Sequence, residues 1–108
     1  MAGIVKISQG EVEGVNLKSF KGKEYVGFLG IPYAEAQTGE KQFKHPEPHK
    51  GWEGVFKANK TVDVLQIDLY MKNITVNKDG LAVNVFVNKD DLETHEQKTP
   101  VMVFIHGG

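Results

Sequence analysis

Val101-Met102-Val103-Phe104-Ile105 is an unbroken apolar run that leads directly into His106-Gly107-Gly108. Side chains along a strand point to alternate faces, so a run that is apolar at every position cannot be half exposed. It predicts a central, parallel strand that needs cover above and below. Glycines after such a strand open backbone conformations closed to other residues and leave N–H groups free. Free N–H groups at that place can hold a developing oxyanion.

The front of the chain reads differently. Val5-Lys6-Ile7-Ser8-Gln9 and Glu11-Val12-Glu13-Gly14-Val15 alternate apolar and polar residues around Gly10, the pattern of an amphipathic hairpin. Lys23-Glu24-Tyr25-Val26-Gly27-Phe28 is expected to continue it as an antiparallel edge meander. Residues 31–50 hold Pro32, Gly39, Pro46 and Pro48 with neither helical nor strand period, which predicts a long surface connection pinned at its far end by Trp52 and Phe56. Residues 57–79 are ambiguous. Leu81-Ala82-Val83-Asn84-Val85-Phe86-Val87 is rich in β-branched residues and predicts a strand in the same sheet as residues 101–105. A polar turn, residues 88–99, is expected between them, and Lys89-Asp90-Asp91-Leu92-Glu93 within it reads as solvated. Strand-dominated content would suggest an all-β domain, but burying both faces of the last strand calls for helices packed on either side, and this strand-rich segment is expected to hold little helix.

Composition excludes several kinds of chemistry. The chain has no cysteine, which rules out disulfides, thiolate catalysis and cysteine-ligated zinc. Thirteen basic and 14 acidic residues give a net charge of −1, so neither nucleic acid nor an anionic membrane is implied as a partner. Residues 1–6 carry no secretory h-region, and no apolar stretch is long enough for a transmembrane helix. A cytoplasmic product is the expectation, or an extracellular one if a leader precedes Met1.

Candidate chemical groups are few. Ser8 and Ser19 lie in the edge meander, outside any nucleophile-elbow context. His45 and His49 have the spacing of two ligands on one helical face, but Pro46 and Pro48 forbid that helix, so they are not read as a metal site. His95 reads as solvated, and Trp52 as a packing anchor rather than a binding platform. Asn59-Lys60-Thr61 and Asn73-Ile74-Thr75 match the glycosylation acceptor pattern, with no expectation of use in a cytoplasmic product. No cofactor and no metal is expected.

Six segments stand in a familiar order: Gly10-Glu11-Val12-Glu13-Gly14, Phe28-Leu29-Gly30-Ile31-Pro32-Tyr33-Ala34, Gly39-Glu40-Lys41-Gln42-Phe43, Trp52, Lys78-Asp79-Gly80-Leu81 with Asn84-Val85, and residues 100–108. In that order they resemble the type-B carboxylesterase and cholinesterase family over nearly the whole chain, with a character nearest the insect esterases. The resemblance implies an α/β fold: the N-terminal segment of an α/β-hydrolase, antiparallel edge strands leading into a central, mostly parallel sheet. Residues 1–108 would be the incomplete first part of that domain. It further implies that Gly108 and Gly107, in a loop shaped with His106, belong to the oxyanion hole. The nucleophilic serine, acid and catalytic histidine of the family are absent from these residues.

Departures from the family pattern come in pairs. Family members carry cysteines near the positions of Val64 and Gly80, closing a loop worth about 3 kcal/mol, and both are missing. An arginine and a glutamate of the family pattern are replaced by Gln42 and Lys78, and losing both partners of a buried ion pair can be nearly neutral. Ala36 and Gln37 stand where the family has prolines.

The resemblance implies a carboxylesterase-like serine hydrolase acting on small-molecule esters. The alternatives are a non-catalytic cholinesterase-like binding or adhesion relative, or a truncated product with no function of its own. For the chain alone the expectation is catalytic incompetence and self-association through the uncovered residues 101–105.

Overall fold

The structure, a computed structural model, describes residues 3–62, 66–67, 74–75, 80–94 and 98–107. The opening alternation folds as expected into a hairpin of β1 (Ile4–Ile7) and β2 (Gly10–Glu13), paired antiparallel from Ile4↔Glu13 to Ile7↔Gly10. The expected single meander does not form. The chain breaks step at Gly14, where a side chain would collide with Val26 and Phe28 of the strand behind it, and changes sheets. β3 (Val15–Lys18) then pairs antiparallel with β4 (Glu24–Pro32), so residues 23–28 belong to a second sheet rather than extending the first.

That second sheet has the order β3-β4-β8, with β8 (Ala82–Asn88) antiparallel to β4 from Tyr25↔Asn88 to Pro32↔Ala82. The first is completed by β5 (Val55–Lys57), parallel to β2. β6 (Gln66–Ile67) and β7 (Ile74–Thr75) form a separate antiparallel pair. Ala58, fully buried, ties the two larger sheets together. Its N–H donates to the Glu13 carbonyl and its own carbonyl accepts from the Leu29 N–H, both at 2.9 Å.

The core sits around that junction. Val12 supplies the first sheet's contribution and Val26, Phe28 and Ile31 the second's, with Val5, Ile7, Trp52, Phe56, Val87 and Leu92 packed at the margin. Period-two alternation in β2 and the near-continuous burial of β4 explain the division, since β2 has one covered face and β4 is the central strand of its sheet.

The surface connection expected over residues 31–50 starts only at Tyr33, because Ile31 and Pro32 end β4 and Ile31 is buried in the core; residues 33–50 form it, pinched at its base. Ala34 bridges to Pro48, the Glu35 N–H donates to the Glu47 carbonyl at 2.8 Å, and the Lys50 N–H donates to the Glu35 carboxylate at 2.9 Å. That last bond holds the Glu35 carboxyl below its ordinary range. A single 3₁₀ turn, Gly39–Lys41, interrupts the loop. Trp52 pins the far end as expected: its indole N–H donates to the Glu11 carbonyl at 2.9 Å and its ring lies 5.1 Å from that of Phe56.

Two expectations need correction. The solvated turn over residues 89–93 is part of a short helix, α1 (Lys89–Thr94), with Asp90 and Asp91 in its first turn, where backbone N–H groups favour negative charge. Asn88 Nδ2 donates to Asp91 at 3.2 Å, and Leu92 turns back onto the core. Residues 101–105 do not pair with β8 or with any other strand; each is more than four-fifths exposed. A strand apolar on both faces gains nothing from pairing unless something covers it, and no described residue does.

The start of α1 is stapled to the second sheet by Lys89 Nζ donating to Glu24 at 3.1 Å. This bond pulls the Glu24 carboxyl down and pushes the Lys89 amine up. The staple's contribution is therefore complete between the ordinary carboxylate and amine ranges. It falls away as pH drops through the lowered Glu24 value, and again as pH rises through the raised Lys89 value. Because both groups are exposed, the effect is small and screened by salt. We expect Glu24→Gln to flatten the acid limb of thermal midpoint against pH at low ionic strength, and 0.5 M salt to flatten it in the parent chain.

Candidate functional site

The Gly-rich turn expected to carry chemistry begins at His106. His106 and Gly107 are exposed and lie outside any strand, while Gly108 is outside the described residues. His106 Nδ1 donates to the Gly107 carbonyl at 2.9 Å, a local bond that curls the backbone at the start of the turn. A side chain at Gly107 would meet no neighbour. Gly107 is thus open among the described residues.

The serines are committed elsewhere. Ser8 Oγ donates to Gln9 Oε1 at 2.8 Å within the β1–β2 turn, and Ser19 Oγ accepts the Lys23 N–H at 3.1 Å in the β3–β4 turn. Neither sits at a strand-to-helix elbow. His49 Nδ1 accepts the Gly51 N–H at 2.9 Å, and its ring meets Trp52 edge-on at 5.6 Å. This histidine helps pack the loop end. Among the described residues no group of three or more His, Cys, Asp or Glu side chains is arranged to hold a metal ion. His95, Asn73, Val64 and Lys78 lie outside the described residues, and Gln42 is exposed.

One positioning group escaped the sequence reading. β4 carries a bulge between Phe28 and Ile31, and Asn84 of β8 stands opposite it. Asn84 Oδ1 accepts the Gly30 N–H at 2.8 Å across 54 residues of sequence. Gly30 itself has φ +73°, and a Cβ there would run into the Lys60 carbonyl oxygen. The pair fixes where β4 leaves the sheet and so where Ile31-Pro32-Tyr33-Ala34 turns outward. A lone carboxamide inside the run Leu81 to Val87 was the available signal.

The bulge segment, the Trp52 anchor, β8 and the apolar run into His-Gly-Gly therefore form one linear arrangement, and proteins sharing it are known. The model of the carboxylesterase family matches residues 1–108. Esterase B1 of Culex pipiens is 35% identical over 105 residues, covering 96% of this chain and 19% of that protein. Juvenile hormone esterase of Tribolium castaneum is 36% identical over 110 residues, covering 97% and 18%. Bile salt-activated lipase of Mus musculus is 38% identical over 109 residues, covering 98% and 17%. The chain spans less than a fifth of the length of these relatives. With the match running over every one of its residues, the chain belongs to the carboxylesterase family.

Proposed function

We propose that these 108 residues are the N-terminal part of an α/β-hydrolase domain that hydrolyses carboxylic esters through an acyl-serine intermediate. The observation that carries the reading is the match of the family model to residues 1–108, with Gly107-Gly108 following the apolar run. In the complete domain a serine hydroxyl adds to the ester carbonyl carbon while a histidine base takes its proton. Negative charge then gathers on the former carbonyl oxygen. The Gly108 N–H donates to that oxygen, and His106 and Gly107 shape the turn that aims it.

The glycines suit the task because a side chain at either position would stand between the backbone N–H groups and the substrate. No residue of this chain supplies the nucleophile or the base, so the contribution of the segment is electrostatic. The substrate class is a small-molecule carboxylic ester.

The test is made in a protein of the relatives' length that contains this segment. Gly108→Pro removes the donating N–H and is expected to lower kcat by roughly 10²- to 10³-fold with KM little changed. Gly108→Ala keeps the N–H and reports the cost of a side chain alone. An active enzyme whose kcat is untouched by Gly108→Pro would remove Gly108 from the oxyanion hole. A folded but inactive protein would favour the non-catalytic relative.

A further inference from the structure

We propose that the tip of the β3–β4 hairpin, residues 18–23, docks on an anionic lipid surface. The Phe20 ring would enter the interfacial layer, with Lys21 and Lys23 on the headgroups. Phe20 is fully exposed, the most exposed large apolar side chain among the described residues. It is not on a frayed segment. The Ser19 N–H donates to the Lys23 carbonyl at 2.8 Å, the Gly22 N–H to the Ser19 carbonyl at 2.9 Å, and the Lys23 N–H to Ser19 Oγ at 3.1 Å. Three bonds close a tight turn that holds the ring outward at its apex.

The charge around the ring has one sign. Lys21 and Lys23 flank it, with Lys18 opposite Glu24 in the β3–β4 register, and among the described residues none of the three has a carboxylate within ion-pair distance. Glu24, beside Lys23 at the first position of β4, is engaged by Lys89. The carboxylates of α1, Asp90 and Glu93, act on that same Lys89. Lys21 lies in the turn itself, outside β4, whose first residue is Glu24. The overall charge of −1 therefore conceals a local positive excess.

A convex tip of this kind suits a deformable surface better than a protein groove. A protein partner would need a broad complementary face, and a six-residue turn offers little area. An aromatic ring beside lysines matches the layered chemistry of an anionic bilayer, apolar just below the charged headgroups.

The experiment is co-sedimentation of the 108-residue chain with vesicles of phosphatidylcholine alone or with 30% phosphatidylserine. Binding is expected only with phosphatidylserine and is expected to fall as salt rises. Lys21→Gln and Lys23→Gln should each weaken it about five-fold, and Phe20→Ser should reduce it further without changing the far-ultraviolet circular dichroism. Val103→Asp, in the exposed apolar run, separates the two greasy surfaces of the chain. Binding that is absent, indifferent to phosphatidylserine, or lost with Val103→Asp but kept in the hairpin variants overturns the proposal.

Discussion

A chain of these 108 residues, purified alone, is expected to hydrolyse p-nitrophenyl acetate no faster than buffer. Ester hydrolysis of this kind needs a nucleophile activated by a base, and both serines of the chain have their hydroxyls tied into turns. Removing the nucleophile from an intact triad lowers turnover by roughly a million-fold. Neither serine sits at a strand-to-helix elbow, and among the described residues nothing lies within 4 Å of a side chain built at Gly107. Saturable turnover abolished by a serine-directed organophosphate would contradict the expectation. It would mean that Ser8 or Ser19 is activated in a way that their hydrogen bonds do not suggest.

Gly30→Ala is expected to have the largest effect on the fold. A left-handed backbone costs a non-glycine residue about 1–2 kcal/mol. The new Cβ would also meet the Lys60 carbonyl, which is backbone and cannot swing aside. Together these should exceed about 3 kcal/mol, comparable to the whole stability available to a core built around five buried side chains. We expect loss of the near-ultraviolet circular dichroism signal of Trp52 and its neighbours. Asn84→Ala orphans the Gly30 N–H without the collision and should cost about 1–3 kcal/mol. If Gly30→Ala proved milder than Asn84→Ala, the bulge would be held by the carboxamide rather than by the close approach at Gly30.

How far the sequence could be read follows from which forces are local. Alternation around Gly10 specified a hairpin because both strands and the turn lie within ten residues, and the structure has that hairpin. The run containing Asn84 specified a strand for the same reason. The change of sheet at Gly14 was not legible, because it depends on Val26 and Phe28 packing behind a missing side chain. Nor was the Asn84–Gly30 bond, which joins positions 54 residues apart. Helix α1 was hidden by its polarity: one residue, Leu92, faces the core, too few to leave a periodic signature.

Residues 101–105 teach the opposite lesson. Their composition called for a strand with two covered faces, and the structure leaves them unpaired and exposed, because composition cannot supply the cover. The run is exposed along its whole length, and the family's relatives are more than five times longer than this chain. The expected self-association has the same origin, since five uncovered apolar side chains can be buried in another copy.

Hydrogen exchange at the amides of residues 101–105, compared between this chain and a protein of the relatives' length that contains it, decides whether the run is covered in the longer protein. The account predicts rapid exchange at these amides in a dilute solution of the 108-residue chain. In the longer protein, protection approaching that of β4 is expected if, as proposed, the run becomes an inner strand there and delivers Gly108 to the catalytic centre. Rapid exchange in a folded, active longer protein would contradict it, and the oxyanion turn would have to be sought elsewhere.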